Sequence, residues 1–247
     1  MNIEGTALVT GGSGSIGRAI AAELAGCGAD VAIGYHSDKD GARRAAEAVE
    51  SCGRDATIVQ ADVTDDDDAS TLVERATELG ELSVLVNAAG IATPGPIEEA
   101  PDRIDRALST NVAGVVAVSA AAVPSLRETS GAIVNVGSVA ADLGTVDVTY
   151  AASKAGVVGV TRALARELGP DGVRVSAVSP GPVDTPMDDE ITESLEARRF
   201  RGHHTVDTLL DRYEATPEEV ATAVRFLAAH EFVTGEILHV DGGMTID

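Results

Sequence analysis

The 247-residue sequence has no tryptophan, three phenylalanines and three tyrosines, so aromatic side chains make up only 2% of it. A core without large rings must be filled by Ala, Val, Leu and Ile, a composition that suits helices laid on a buried parallel sheet. Cysteine is nearly absent as well. Cys27 and Cys52 are the two present, with no metal-ligand spacing around them. They read as small buried residues in a reducing compartment rather than as a disulfide framework.

Positive charge is scarce: 18 Lys and Arg stand against 40 Asp and Glu, a net charge of −22. No basic face is available to neutralise phosphates, which excludes nucleic acid as a partner. Anionic membrane surfaces are excluded on the same ground. No apolar run reads as long enough to span a bilayer, and Met1-Asn2-Ile3-Glu4 leads straight into a strand rather than a secretory leader. The cytoplasm is the expected location. The acids are spread along a chain with only two lysines, Lys39 and Lys154. That pattern is similar to proteins adapted to high salt, where screening weakens self-repulsion.

What is present is a rhythm. Short apolar runs at Thr6–Thr10, Asp30–Tyr35, Ala56–Gln60, Val84–Asn87, Gly131–Val136, Arg174–Val178 and Glu236–Val240 alternate with segments of helical composition. The alternation predicts one α/β domain over residues 1–247. It is a Rossmann-type, doubly wound parallel sheet of about seven strands with helices on both faces. Between about 184 and 215 the rhythm breaks. That stretch is charged, carries Arg198, Arg199, Arg201, His203 and His204, and is a lid candidate because it follows a strand's C-terminal end. The His pair lacks further ligands, so no metal site is expected. Asp102–Leu126 reads as one helix, or as two with a break near Asn111-Val112-Ala113-Gly114. Ala113–Val123 is apolar on every side, as a buried helix or a subunit interface would be.

The first strand runs into Gly11-Gly12-Ser13-Gly14-Ser15-Ile16-Gly17 and then a helix. Glycines in that context let backbone approach a pyrophosphate at a helix N-terminus. The second strand ends in Tyr35-His36-Ser37, with no carboxylate before Asp38. An acid there would bond the ribose of NAD and repel the 2′-phosphate of NADP, so the pattern favours NADP, with NAD the alternative. Arg18, His36 and Arg43 are candidate phosphate partners. Asp62-Val63 and Asn87-Ala88-Ala89-Gly90 stand at the ends of the third and fourth strands, where open α/β sheets bind ligands. Asp62 is a candidate for the adenine amine, and Asp65–Asp68 reads as an N-capping run. Asn111 is either a cap, a buried amide or the holder of a water.

Tyr150 and Lys154 stand four residues apart at a helix start and share a face. Bringing a phenol from near 10 to about 7 requires about 4 kcal/mol. One ammonium at about 4 Å and an effective dielectric near 20 supplies that much. The pair is a candidate general acid/base for alcohol–carbonyl chemistry.

In order and spacing, these motifs, with Ser138 and Pro180-Gly181, resemble the short-chain dehydrogenase/reductase family along nearly the whole chain. The closing Thr234-Gly235-Glu236-Ile237-Leu238-His239-Val240-Asp241-Gly242-Gly243 is similar to its 3-oxoacyl-thioester reductase branch, and many sugar and cyclic-alcohol dehydrogenases end in the same way. The resemblance implies that Tyr150 protonates the carbonyl oxygen, that Lys154 lowers its pKa and binds the nicotinamide ribose, and that Ser138 bonds the substrate oxygen. It implies that Asn111 holds a water relaying protons from Lys154. Val183 and Thr185, after Pro180-Gly181, join the cofactor contacts, and a homotetramer is implied. Three departures stand out. Ser15 replaces the middle glycine, Gly14 stands where NADP-preferring relatives often place a base, and the Ser138–Tyr150 interval is one residue short. The expected activity is reduction of a 3-oxoacyl thioester, on CoA or an acyl carrier. The alternative is a dehydrogenase of a sugar, polyol or cyclic alcohol. A non-catalytic nucleotide-binding regulator is disfavoured because all four candidate catalytic residues are present.

Overall fold

Strand β1 (Thr6–Thr10) is buried at every position, as a strand covered on both faces must be. Its residues alternate between two cores: Ala7 and Val9 join one, Leu8 the other. The computed structural model describes residues 2–145, 147–197 and 208–246. In it β1 lies between β2 (Asp30–Tyr35) and β4 (Leu82–Asn87). With β3 (Ala56–Gln60), β5 (Ala132–Val136), β6 (Arg174–Pro180) and β7 (Ile237–Val240) they form a seven-stranded parallel sheet in the order β3-β2-β1-β4-β5-β6-β7. The order reverses between β1 and β4, which opens a crevice at the C-terminal ends of those strands.

Helices α1 (Ser15–Gly26), α2 (Lys39–Ser51) and, late in the chain, α9 (Pro217–Ala229) cover one face. Ile20, Leu24, Val49, Val224 and Leu227 pack there on Val9, Ile33 and Val134. On the other face lie α3 (Asp66–Thr77), α5 (Gly114–Thr129) and α7 (Val148–Leu168), with Leu72, Val118, Leu126 and Leu168 over Leu8, Leu85 and Ile133. As expected, Asp65 caps α3, its carboxylate accepting the N–H groups of Asp67 and Asp68. Thr216 and Glu219 form a capping box on α9.

The break near residue 111 is a π-type turn. It spans Ser109–Ala113 between α4 (Ala100–Leu108) and α5, and the Gly114 N–H bonds back to the Ser109 carbonyl. Contrary to expectation, the helical stretch Ile97–Thr129 is by length and composition apolar enough to cross a membrane. Its α5 portion instead packs on β4 and α3. The apolar all-round stretch is not uniformly buried, since Val116 is 45% exposed.

A further expectation fails. Cys27 is half-buried and Cys52 exposed, because both are C-caps where the chain leaves a helix for solvent. A helix, α8 (Pro186–Ala197), lies within the insertion after β6, with Asp188 and Asp189 in its first turn. Before it, α6 (Ala140–Leu143) interrupts the loop that follows β5. Val183 and Ala215 pair in parallel across the base of the insertion. Arg198, Arg199, Arg201, His203 and His204 lie outside the described residues.

Candidate active site

A cleft of about 760 Å³ runs along the C-terminal ends of the central strands. That is within the range of about 300–1,000 Å³ usual for cofactor and ligand sites. Gly11, Ser13, Gly14, Ser15, Ile16 and Gly17 line one end of it. Two of these positions admit no side chain. Gly11 has φ +65°, and a Cβ there would stand 2.7 Å from the Ala89 backbone; at Gly17 a Cβ would meet the Gly11 carbonyl oxygen at 2.3 Å. Gly14 is different: its Cβ would meet only the Gly11 oxygen, at 3.5 Å. No side chain caps α1 at Gly14, and its first turn opens on the cleft. This is a helix N-terminus suited to an anion, and Ser15 in place of glycine leaves it intact. The fit to a dinucleotide pyrophosphate therefore holds on the geometry of the loop.

Tyr35, His36, Ser37, Asp62 and Val63 line the cleft beyond β2 and β3. Asp62 accepts the Thr64 backbone N–H and hydroxyl through Oδ1, which hold its carboxyl below the usual range. His36 Nε2 stands 3.8 Å from Asp62 Oδ2. Of the candidate phosphate partners, Arg18 and His36 line the cleft but Arg43 does not. Arg43 turns to Asp40 at 3.4 Å, and its neighbour Arg44 lines the cleft instead, 3.8 Å from Asp38. Asp38 itself caps α2 by accepting the Gly41 N–H.

Ala88, Ala89, Gly90, Ser138, Tyr150, Lys154, Pro180, Gly181, Val183 and Thr185 line the cleft as expected. Asn87 and Asn111 do not; both are buried behind its wall. Asn87 donates to Ser119 Oγ at 3.1 Å and to Asn135 Oδ1 at 2.9 Å, and Asn135 donates on to Thr161. This chain ties β4 and β5 to α5 and α7. Asn135, which the sequence reading missed, was marked only as the polar residue within Ala-Ile-Val-Asn-Val. Asn111 is committed on both ends of its amide. It accepts the Ile91 N–H at 2.8 Å and donates to the Ile91 carbonyl and to Ser153 Oγ, each at 2.9 Å. Its side chain is a brace for the segment after β4.

Tyr150 and Lys154 stand in the first two turns of α7. The Ser138 hydroxyl faces the phenol and favours its ionised form. Lys154 Nζ donates to the Val136 carbonyl at 2.9 Å and lies 5.6 Å from the Tyr150 ring centroid. Ile191 of α8 packs on Tyr150 and Ala140, so α8 covers this end of the cleft. The expected pKa near 7 is overturned. Burial pushes the Tyr150 phenol up to about 12, against the Ser138 hydroxyl and with help from the Asp188 carboxylate. Burial also pushes Lys154 down to about 8. The two groups share a helix face, but at 8% and 6% exposure the loss of water outweighs their attraction. Asp188 lines the cleft unanticipated, its carboxyl raised to about 6 by burial and by Glu214 and Asp189. Arg106, Thr145 and Met187 also line it without having been foreseen.

The family described as enoyl-(acyl carrier protein) reductase matches residues 11–245. The 3-oxoacyl-[acyl-carrier-protein] reductase FabG of Staphylococcus aureus is 36% identical over 99% of both chains. The 3beta-hydroxysteroid dehydrogenase 1 of Eggerthella lenta is also 36% identical, over 98% of this chain and 94% of the relative. Among solved structures, a short chain dehydrogenase from Burkholderia cenocepacia J2315 in complex with NADP superposes with a TM-score of 0.84 at 38% identity, covering 97% of each chain.

Proposed function

Since this chain belongs to the short-chain dehydrogenase/reductase family and is an NAD(P)-dependent oxidoreductase, we propose that it reduces a 3-oxoacyl thioester, on CoA or an acyl carrier, to the 3-hydroxyacyl form with NADPH. The observation that carries the reading is the convergence of Ser138, Tyr150 and Lys154 at one end of a dinucleotide-sized cleft. When bound, the nicotinamide supplies the hydride, and the protein supplies orientation and the proton. Ser138 and Tyr150 hold the carbonyl oxygen between two hydroxyls. Burial keeps the Tyr150 phenol neutral at physiological pH, the state that a proton donor needs. As negative charge grows on the oxygen, Tyr150 gives up its proton, and the Lys154 ammonium balances the phenolate left behind. Asn111 acts here by fixing Ile91 next to Gly90. A methyl group at Gly90 would stand 3.5 Å from Lys154 Nζ.

For the cofactor, NADP is supported by Arg18, His36 and Arg44 in the cleft, and by the engagement of Asp38 in capping α2. The segment 184–215 is the lid in this reading, and Ile191 in its described part packs on Tyr150. The remaining parts of the reading are a cytoplasmic homotetramer of one domain per chain, joined through the smooth faces of α5 and α7.

A second reading, dehydrogenation of a cyclic or steroid alcohol, has one specific support: the Eggerthella relative is as similar as the acyl reductase. The test is NADPH oxidation with acetoacetyl-CoA in molar KCl, beside a panel of sugar, polyol, cyclic and steroid substrates with both cofactors. Turnover of acetoacetyl-CoA with NADPH, cut at least 100-fold in Tyr150→Phe, is expected. Turnover of an alcohol from the panel without any of acetoacetyl-CoA would replace the first reading by the second.

A further inference from the structure

We propose that Asp147 and Arg103 form a positioning pair that fixes where Tyr150 stands relative to the 91–96 segment of the cleft wall. The inference rests on the reading of Tyr150 as the proton donor. Asp147 is the N-cap of α7, 6% exposed, and all of its acceptor directions are used. One oxygen accepts the Tyr150 N–H and the Thr149 hydroxyl, each at 2.8 Å. The other accepts the Gly95 N–H at 3.0 Å and Arg103 Nη1 at 2.7 Å. The Arg103 guanidinium donates in turn to the Thr93 carbonyl, to the Pro96 carbonyl at 2.8 Å and to the Glu99 carbonyl at 3.3 Å.

Capping a helix requires one oxygen, and a neutral Ser, Thr or Asn serves as well. A carboxylate with a partly buried arginine on its second oxygen is more than a cap demands, and burying such a pair is costly unless its bonds are made. Here Asp147 accepts four bonds and Arg103 donates four, and together they tie the first turn of α7 to residues 93–96, with the Glu99 carbonyl as a further anchor. The backbone is shaped for the pair. A Cβ on Gly95 would lie 2.5 Å from the Arg103 guanidinium carbon, so a side chain there would push the guanidinium from this position. Thr93 and Thr149 hydroxyls meet at 3.3 Å beside it. At its other end the same segment is held by Asn111 on Ile91. The segment is thus clamped at both ends, and the second clamp reaches the Tyr150 amide directly. A displacement of about 1 Å at a reacting group can cost 10²-fold in rate.

The test compares Arg103→Met, Arg103→Lys, Asp147→Asn and Asp147→Ala with the unaltered chain. The substrate is acetoacetyl-CoA, or whichever ketone of the panel the unaltered enzyme reduces. NADPH affinity is measured by fluorescence, and kcat is referred to NADPH-binding sites. Arg103→Met and Asp147→Asn are expected to lose 10- to 100-fold in kcat with NADPH affinity within twofold, and Arg103→Lys to recover part of the loss. Unchanged kcat per binding site, or an equal loss in NADPH affinity, would overturn the inference. If Asp147→Ala does not fold, the Arg103 series decides. Turnover by the unaltered chain reports on the functional reading, and the variant-to-parent ratio reports on this one. A substrate-free measurement accompanies them: amide exchange in Arg103→Met should speed up together in 91–96 and 147–153. Acceleration confined to one segment would refute the coupling.

Discussion

Asn111→Ala separates two accounts of one residue. The resemblance assigns Asn111 to a proton relay, whereas the structure commits its side chain to Ile91 and Ser153. Truncation removes the partner of the Ile91 N–H and of the Ile91 carbonyl. Ser153 is not orphaned, because its hydroxyl still donates to the Tyr150 carbonyl at 2.8 Å. Two part-buried backbone groups left unpaired cost about 1–3 kcal/mol each, so the loss should be about 3 kcal/mol. For a chain of this size that is a fall in melting temperature of roughly 6–12 °C. Asn111→Asp sharpens the test. It keeps an acceptor for the Ile91 N–H but sets a carboxylate oxygen against the Ile91 carbonyl. A protonated acid could donate there, so this variant alone should regain stability as pH falls. Urea unfolding at fixed KCl measures both. A loss below about 1 kcal/mol in Asn111→Ala, the bottom of the range for one orphaned group, together with collapsed turnover, would refute the brace and return the side chain to the chemistry.

Lys154→Met should stabilise the chain while abolishing turnover. Moving a lysine from 10.5 to about 8 costs about 3 kcal/mol at pH 7. Losing the Val136 bond takes back about 1, leaving a gain of about 2 kcal/mol. The sign follows from a folded-state value below the unfolded one. Unaltered stability is lost as pH falls through 8 and recovers above it, so the gain should shrink between pH 8 and 10; a pH-independent gain in thermal melts would refute this. Arg44→Ala should raise the KM for NADPH about fivefold in low salt and leave NADH unaffected, with Arg43→Ala silent, consistent with an exposed ion pair near 1 kcal/mol. Equal effects of the two would remove Arg44 from the phosphate site. Melting temperature should rise from 0.1 to 2 M KCl, because salt screens a net charge of −22. A maximum at low ionic strength would sink the salt-adapted reading.

The sheet was legible because its strands are nearly continuous apolar runs, and because the glycine loop needs a strand before it and a helix after it. The positions of Gly11 and Gly17 were readable for the same reason: steric exclusion leaves glycine no substitute. What could not be read is direction. Arg43 and Arg44 are one residue apart, but on a helix that is about 100° of rotation, enough to send one to Asp40 and the other into the cleft. Asn87 and Asn111 sit in the motifs of a ligand site, yet each turns its amide inward to hold backbone or side chains. A polar residue in apolar surroundings must find a partner, but sequence does not say whether the partner is a ligand or the fold. The helix α8 escaped notice because charge across its insertion hides the apolar face from which Ile191 reaches Tyr150.

The Tyr150–Lys154 pair shows why burial must be known before a pKa is argued. Spacing alone predicted that the ammonium would draw the phenol toward 7. The structure instead puts both groups out of water, and each is pushed toward its neutral form, the phenol to about 12 and the amine to about 8. The two shifts oppose an isolated ion, not an ion pair. A phenolate formed beside the Lys154 ammonium adds no net charge to the pocket, and the desolvation that penalises either ion alone strengthens their attraction. The pocket therefore resists phenolate until a carbonyl oxygen takes the proton. At that moment Lys154, charged at pH 7 yet with a proton only loosely held, can neutralise the phenolate and recharge from solvent. Proton transfer is thereby tied to reduction of a bound substrate, and idle ionisation of Tyr150 is suppressed. The pH dependence of turnover should therefore carry an alkaline limb near 8, from Lys154, with none near 7 from Tyr150.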